Sequence, residues 1–431
     1  MEVLEPLVKN TEGSSKSKAW PKNIEFELTL PHSKDSQCIF WGVINNREDL
    51  LYLAQQKDSC SDRELMISLL LNNDVSIVDK IKGDFSFIFF DSDKSNLAFF
   101  RSESSSFPIY YSDSSSKLKV SDRLNVWINQ RGAECNIFRV LEKTFFGINT
   151  DRATLINNVD QLSPGEMICF STNKLLKKVS EHSFISEKNW FKKYPSITCR
   201  IDWKPEVGSS SIENSFFNYI PKLARSLGLP TSYFIANKLY IAIKNHTNQI
   251  SFNINEVVDE VHVLDYDDKL SLINPILKKK ITKRELEGYL SDKKQRLINE
   301  FDQYGARYKS FNEWFTCRYY LPNFLSDIRE MSADYSNTVV HEQIDCSQNE
   351  LDEKPVFNIE DKPPFNVFEA MQRLFWHGVP GGVNDWFNLA PMLSAGVIKK
   401  RKLDPVFCES FAVSLLSVDY LIRMNQWVLV K

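Results

Sequence analysis

Short apolar runs separated by polar turns characterise the first 180 or so residues of this chain. Residues 26–30 alternate between apolar and polar with period two, whereas 38–44 and 83–91 are almost continuously apolar. Both patterns are typical of β-strands, the first half-buried and the second fully buried. Further short strands are predicted at 97–101, 107–111 and 117–120, and residues 162–170 are predicted as a turn that leads into a strand. Ser61 followed by Glu64 predicts the capped start of a helix that continues through the apolar residues from Leu65.

The hydrophobic period changes after about residue 200, where helices are predicted at 214–227, 282–301, 311–331 and 388–428. Pro221 should kink or break the first of them. Residues 336–364 are polar and acidic with little periodicity, which favours a long loop or flexible insert.

The change of pattern predicts a chain in three parts. Residues 1–22 form a mobile leader, residues 23–190 a strand-rich first domain, and residues 200–431 a helix-rich second domain that includes the insert.

Net charge, the length of apolar runs and the spacing of the cysteines argue against several classes of function. A net charge of -3 lacks the basic excess of a dedicated nucleic-acid binder. The start has no basic stretch followed by an apolar run, and no apolar run approaches the roughly 20 residues of a spanning helix, so a cytoplasmic protein without membrane contact is predicted. The eight cysteines are scattered without a C-x-x-C pair, which favours buried reduced thiols over a metal cluster or a disulfide scaffold.

Several segments of the first half resemble, in order and spacing, the glutaminase-type domain of the asparagine synthetase family. The stretch from Trp41 to Leu50 resembles that family's N-G-x-I-x-N-x-x-E-L, and the one from Gly83 to Asp91 resembles its G-x-F-A-F-x-x-x-D strand. Ser61 to Glu64 resembles S-D-T-E, Phe107 to Tyr111 with Arg101 resembles R-D-x-x-G-x-x-P-L-Y-Y, and Leu162 to Gly165 resembles L-P-P-G. The resemblance implies an α+β protein: an N-terminal α/β/β/α sandwich of the Ntn type, then a divergent parallel α/β, helix-rich synthetase domain.

The glutaminase chemistry that the resemblance implies is missing from the sequence. The family's glutaminases use an N-terminal cysteine thiolate as nucleophile, with the free α-amine as base. Here residue 2 is Glu2, and the first cysteine, Cys38, falls inside a predicted strand. The family's R-x-R-G-P-D loop also has no counterpart. The domain is therefore not expected to release ammonia from glutamine. Relatives that close lactams or cyclise peptides share this loss, because their nucleophile is an amine on the substrate.

The ATP-binding signature of the family, S-G-G-x-D-S, has a divergent counterpart beginning at Ser209. Ser210 and Ser211 replace the two glycines, Glu213 the aspartate, and Asn214 the final serine. In one interpretation these residues still bind ATP, and Glu213 helps to place Mg²⁺. In the other, Ser211 only caps a helix, since losing two glycines hinders close approach of the backbone to a phosphate.

Other polar clusters have weaker support. Asp265, with Asp267 and Asp268, follows a predicted strand at 261–264, where carboxylates suit Mg²⁺ or a nucleotide, although a polar turn explains them as well. The basic run 399–402 either neutralises a leaving pyrophosphate or is an exposed loop. The six histidines are dispersed, without an H-x-H or H-E-x-x-H pair.

Two hypotheses for function remain open at this point. The first is an ATP- and Mg²⁺-dependent ligase of a biosynthetic pathway, which adenylates a carboxylate on a small-molecule or peptide substrate and then joins it to an amine. The second is an inactive pseudoenzyme that binds a peptide or a partner protein in the same cleft. Catalytic acids and bases cannot be assigned, and a homodimer is compatible with either hypothesis.

Overall fold

The architecture was obtained from a computed structural model, and its description covers the following residues: 24–27, 38–72, 75–91, 96–103, 105, 107–114, 117–128, 132–171, 177–183, 196–200, 249–253, 276–277, 281–306, 308–323, 326, 415, 417–419, 421–422 and 428–430.

The described part of the first half contains both strands and helices. Its strands are Ile24–Glu27 (β1), Cys38–Ile44 (β2), Gly83–Asp91 (β3), Asn96–Arg101 (β4), Tyr110–Ser114 (β5), Lys117–Ser121 (β6), Glu134–Asn136 (β7), Asp160–Gln161 (β8), Glu166–Ser171 (β9), Lys177–Ser183 (β10) and Ser196–Arg200 (β11). Its helices are Arg47–Ala54 (α1), Asp62–Asn72 (α2), Asn125–Ile128 (α3) and Ile137–Phe146 (α4), with a 3-10 turn at Val75–Lys80.

The second half contributes further elements to the described part of the chain. Its strands are Gln249–Asn253 (β12), Ile276–Leu277 (β13), Ile281–Thr282 (β14) and Val428–Val430 (β15). Its helices are Lys283–Tyr304 (α5) and Phe311–Phe315 (α6), and α6 continues into a π-helical turn at Thr316–Tyr320.

An antiparallel five-stranded sheet, in the order β10-β9-β4-β3-β2, forms the centre of the first half. Along β3, Phe85, Phe87 and Phe89 pack with residues of α1 and α2. Ile88 and Phe90 of the same strand pack on the opposite face. Because both faces are covered, the strand has a continuous apolar sequence instead of an alternating one.

A four-stranded sheet, in the order β1-β6-β5-β8, covers that opposite face. Tyr111 and Val120 of this sheet share one buried cluster with Trp41, Phe99 and Phe170 of the five-stranded sheet. The ring centroids of Phe99 and Phe170 lie 5.3 Å apart, and those of Tyr111 and Phe170 lie 6.0 Å apart. The layers are thus α1 and α2, the five-stranded sheet, and the four-stranded sheet, with a separate core in each gap.

Side-chain caps fix the starts of two helices. At α2, the Ser61 hydroxyl accepts from the Glu64 amide at 3.2 Å, and the Glu64 carboxylate accepts from the Ser61 amide at 2.7 Å. At α5, Thr282 and Glu285 form the same reciprocal pair. Each pair satisfies two amides that a helix start leaves without intrahelical partners.

Backbone crowding between β2 and β3 requires glycine at two positions. Gly42 has φ +107°, and a Cβ built there would lie 1.9 Å from the carbonyl oxygen of Asp84. Gly83 has φ +152°, and its Cβ would lie 2.1 Å from the carbonyl oxygen of Val43. Both positions therefore combine a positive φ with a contact that no side chain fits.

Most strand predictions for the first half are confirmed, including β2, β3 and β4. The strand predicted from residue 107 begins only at Tyr110, because Pro108 cannot donate a ladder hydrogen bond. The helix predicted at 282–301 is α5, and α6 with the π-helical turn occupies the start of the one predicted at 311–331. The predicted helix at 214–227, the strand at 261–264, the leader and the insert at 336–364 lie outside the described residues.

The mixed α/β character of the predicted fold class is confirmed for the described part of the chain. The domain boundaries and the parallel sheet of the second half stay predictions. No helix among the described residues combines the length and apolarity needed to cross a bilayer.

We expect Gly42→Ala to lower the free energy of unfolding by about 2 kcal/mol or more, because strain at a positive φ and a steric clash act together. Gly288→Ala is the matched control, since Gly288 lies inside α5 with open space where its Cβ would be. It should raise stability by about 0.5–1 kcal/mol. Urea unfolding measures both changes, and wild-type stability of Gly42→Ala would contradict the close β2–β3 approach.

Candidate functional site

The predicted nucleotide-binding residues cannot be placed relative to one another. Ser209, Ser210, Ser211, Glu213, Asn214 and Asp265 all lie outside the described residues. Within the described part of the chain, no group of three or more His, Cys, Asp or Glu side chains is close enough to hold a metal ion. The ATP and Mg²⁺ sites thus stay predictions.

Cys38, the first cysteine of the sequence, is the first residue of β2, and its side chain is buried. Its Sγ lies 3.7 Å from the carbonyl oxygen of Ile39, to which it donates a weak hydrogen bond. Burial raises the pKa of the thiol to about 12, although the charge of Arg63 acts in the opposite direction. Because only the thiolate is nucleophilic, this buried cysteine is unsuited to attack an amide.

Trp41 and Val43 give the adjoining part of β2 an apolar character. Trp41 occupies the place of the asparagine in the N-G-x-I pattern and is buried between the two sheets. Its indole Nε1 has no hydrogen-bond partner among the described residues. Val43, two positions on, is 59% exposed. A polar position of the family pattern is thus filled by an aromatic ring.

A set of buried and partly buried polar contacts, which we call the docking seam, joins the first half to helices of the second. On the first half it comprises Arg101, Glu142, Asp151, Gln161 and Pro164. On the second half it comprises Tyr289, Lys293, Arg296, Arg318, Pro322, Asn323 and Ser326.

Arg101, at the end of β4, anchors one end of the docking seam and is fully buried. Its guanidinium donates to the carbonyl oxygens of Ser105 and Leu162, at 2.9–3.1 Å, within the first half. It also donates to the carbonyl oxygen of Pro322 at 3.3 Å and to the Ser326 hydroxyl at 3.1 Å. A single buried cation thus holds loops of the first half and a helical segment of the second together.

Glu142 on α4 is the most deeply buried carboxylate of the docking seam. Its Oε1 accepts from the amide and the hydroxyl of Thr150, at 2.9 and 2.6 Å, and its Oε2 accepts from Arg139 at 3.0 Å. The hydroxyl of Tyr289 on α5 donates to the same Oε2. Burial and the neighbouring charge of Glu142 raise the pKa of Tyr289, so this hydroxyl stays protonated and keeps donating.

The Asp151 carboxylate is contacted by cationic side chains from both halves of the chain. It pairs with Arg139 at 2.6 Å and with Lys293 of α5, while Arg296 lies 3.8 Å away. Burial by itself would raise the pKa of Asp151, but the charges of Arg139 and Lys293 outweigh it and hold the pKa below the ordinary value of 3.8. Burial lowers the pKa of Lys293, and the two carboxylates only partly offset this effect.

Arg318 and Gln161 add contacts at the other end of α5. Arg318 donates to the carbonyl oxygen of Pro164 at 2.8 Å, and its Nε lies 3.8 Å from the Glu300 carboxylate, an ion-pair distance without a hydrogen bond. Gln161 donates to the side chain of Asn323 at 3.2 Å. Arg318, Pro322, Asn323 and Ser326 follow α6 along the chain, and we call them the α6 region. The docking seam therefore involves both α5 and the α6 region.

A family model described as the glutamine amidotransferase domain matches residues 32–183. The first half of the chain carries a glutamine amidotransferase-like domain. The match covers the two packed sheets from β2 to β10, including Cys38, Arg101 and both carboxylates of the docking seam.

Solved structures align more loosely. One of them is the glutamine phosphoribosylpyrophosphate (PRPP) amidotransferase from B. subtilis, complexed with ADP and GMP. The alignment covers 49% of this chain and 44% of that one, with 12% identity and a TM-score of 0.25. The chain spans less than half the length of that structure, and a similarity of this size adds nothing to the argument. No curated protein matches the chain.

The amidotransferase-like domain is predicted from sequence by residues that the structure places in its sheets, at the starts of α1 and α2, and in the turn before β9, whereas no sequence pattern predicts the docking seam. Arg101 was noted only as part of a pattern, without its contacts. The helix α4 was missed, although Asn136 before it and Gly147 after it are the residues expected at helix caps. In the structure the Asn136 side chain accepts from the amides of Phe138 and Arg139, and Gly147 has φ +78°.

Asp151→Asn should destabilise the protein by about 1–3 kcal/mol at neutral pH, since it leaves buried cations without their carboxylate. Because folding depresses the pKa of Asp151, its contribution is complete above the ordinary pKa of 3.8 and is lost as the pH falls below that value. The difference in melting temperature between wild type and variant should therefore be constant from about pH 7 to 5 and shrink below about pH 4.

Asp292→Asn is the matched control, because Asp292 is exposed on the same helix α5. It should change the melting temperature little at any pH. A difference for Asp151→Asn that stays constant down to about pH 3 would contradict the charge pairing described for the docking seam.

Proposed function

We propose that this protein is an ATP-dependent amide- or lactam-forming ligase whose amidotransferase-like domain has no glutaminase activity. In the first step a substrate carboxylate attacks the α-phosphorus of ATP, which forms an acyl-adenylate and releases pyrophosphate. In the second step an amine attacks the acyl carbon, AMP leaves, and the amine loses its extra proton. The substrate class is a small molecule or peptide that presents a carboxylate to an amine, in a cytoplasmic biosynthetic pathway.

The burial of Cys38, together with the raised pKa of its thiol, is the main observation that supports this proposal. The matched domain belongs to a family described by glutamine chemistry, yet the first cysteine of this sequence is a buried thiol inside a strand, with a raised pKa. In the proposed reaction the domain supplies no ammonia, because Cys38 is not an activated nucleophile, and the nitrogen comes from an amine that is already part of a substrate.

The docking seam supports a retained structural role for the domain. Its buried charges would be costly without their partners from α5 and the α6 region, so the two halves stabilise each other. The chemistry is then assigned to the second half, proposed as a divergent asparagine-synthetase-like domain with a parallel sheet. ATP and Mg²⁺ are proposed near Ser209 to Ser211, Glu213 and Asn214, with Asp265 as a further Mg²⁺ ligand.

Glutamine hydrolysis tests the first part of this proposal. Purified protein incubated with glutamine, with and without ATP and Mg²⁺, should release no glutamate above a protein-free control. Cys38→Ser should behave identically, because the thiol takes no part in chemistry. Glutamate release that Cys38→Ser abolishes would show an active glutaminase and refute the proposal.

Calorimetric titration with a non-hydrolysable ATP analogue and Mg²⁺ tests the second part. We expect micromolar binding that Glu213→Ala weakens roughly tenfold, about 1.4 kcal/mol. Glu287→Ala is the control, because Glu287 lies on the outside of α5 with its side chain 47% exposed, and it should leave the affinity unchanged. Absence of binding at millimolar nucleotide would point instead to an inactive fold that binds a partner.

A further inference from the structure

Three separate pieces of the second half attach to one short stretch of the amidotransferase-like domain, residues 134–166. Strand β15 pairs with β7 at its beginning. Helix α5 binds Glu142 and Asp151 in its middle. The α6 region contacts Gln161 and Pro164 near its end.

Strand β7 is held on both sides. On one side it pairs in parallel with β15, in the register Val428 with Glu134, Leu429 with Cys135 and Val430 with Asn136. On the other side the Asn136 amide donates to the carbonyl oxygen of Leu155 at 2.9 Å, and the Glu134 carbonyl accepts from the amide of residue 157 at 2.8 Å. Strand β7 thus lies between β15 and residues 155–157, which contact it through an isolated β-bridge at Cys135.

Asn136 links this arrangement to helix α4. It is the last residue of β7, the register partner of Val430, and the N-cap of α4. Its side chain accepts from the amides of Phe138 at 3.0 Å and Arg139 at 3.3 Å. Asn136 therefore belongs both to β7 and to the first turn of α4.

Helix α4 lies between this arrangement and the docking seam. Arg139, whose amide is capped by Asn136, binds both Glu142 and Asp151. These two carboxylates hold Tyr289 and Lys293 of α5. Strand pairing, a helix cap and ion pairs therefore form a contiguous set of contacts from β15 to α5, and a test of coupling has to show whether a change at one end alters the other.

We propose that β15 is a strap: its pairing with β7 fixes the cap of α4 and thereby holds α5 against the amidotransferase-like domain. A ladder of three residue pairs is weak compared with the cores of the sheets, so the strap opens without unfolding of the domain. Opening of the strap loosens the docking seam, and closing it tightens the seam. This inference is independent of the proposed ATP chemistry, because it is tested without nucleotide.

A disulfide tests the register of the strap. Residues paired in a sheet have neighbouring Cα atoms with Cβ atoms on the same face, at spacings that a disulfide spans. Leu429→Cys should therefore form a bond with Cys135 under copper–phenanthroline oxidation, found by peptide mass spectrometry. Burial raises the pKa of the Cys135 thiol, so the reaction is run at alkaline pH. Val428→Cys, whose register partner is Glu134, is the control and should give little of this cross-link.

Hydrogen exchange tests the coupling. Leu429→Pro and Val430→Pro are compared, because alternate residues of a parallel strand donate to its neighbour and proline removes the donor. At least one of them should accelerate exchange in α4 and α5 about tenfold or more, while β3 and β4 keep wild-type protection. Leu429→Val keeps the donor and should leave α4 and α5 unchanged. The oxidised Leu429→Cys protein should exchange more slowly in α5 than its reduced form.

The two measurements separate the ways in which the inference can be wrong. Absence of the Cys135 cross-link would overturn the pairing of β15 with β7. A cross-link together with proline variants that change exchange only at residues 134–136 would show a strand that does not couple to α5. Loss of protection in β3 and β4 as well would show that β15 belongs to the global fold and is not a strap.

Discussion

The buried carboxylate of Glu142 is the constraint on which the joining of the two halves depends. A charge removed from water is tolerated only when hydrogen bonds and opposite charges replace its hydration. Here Thr150 and Arg139 supply part of that replacement from the same domain, and Tyr289 supplies the rest from α5. The same holds for Asp151, which pairs with Lys293 of α5, and for Arg101, which donates to the carbonyl oxygen of Pro322. The amidotransferase-like domain therefore depends on the second half for the satisfaction of its own buried groups.

The strands of the two sheets could be predicted from sequence because the residues that indicate each strand are neighbours along the chain. A mostly apolar run such as 83–91 indicates a strand that is buried on both faces. Ser61 and Glu64, three positions apart, indicate the capped start of a helix. The docking seam could not be predicted from sequence, because its contacting residues are far apart along the chain. Glu142 and Tyr289 are 147 positions apart, and Arg101 and Pro322 are 221 positions apart. A single sequence carries no pattern that links residues at such distances. The nucleotide-loop predictions from Ser209 to Asn214 remain untested for a different reason, since they lie outside the described residues.

A domain can lose its reaction and keep its fold because the two rest on different residues. The cores around Phe87 and Phe99 do not involve a nucleophile, so nothing in the packing of the sheets requires an active cysteine. Trp41 shows how such a position can serve the fold alone. Its large ring is buried and adds to the core between the two sheets.

The pairing of β7 with β15 joins two strands that are synthesised far apart in time, because residues 137–427 lie between them. Synthesis proceeds from the N-terminus, so β7 and α4 leave the ribosome long before β15, and α5 follows them only after an interval. During that time the nascent domain has buried carboxylates without their partners and a strand with one side unfilled. The speed at which ribosomes translate the second half then governs how long this exposed state persists.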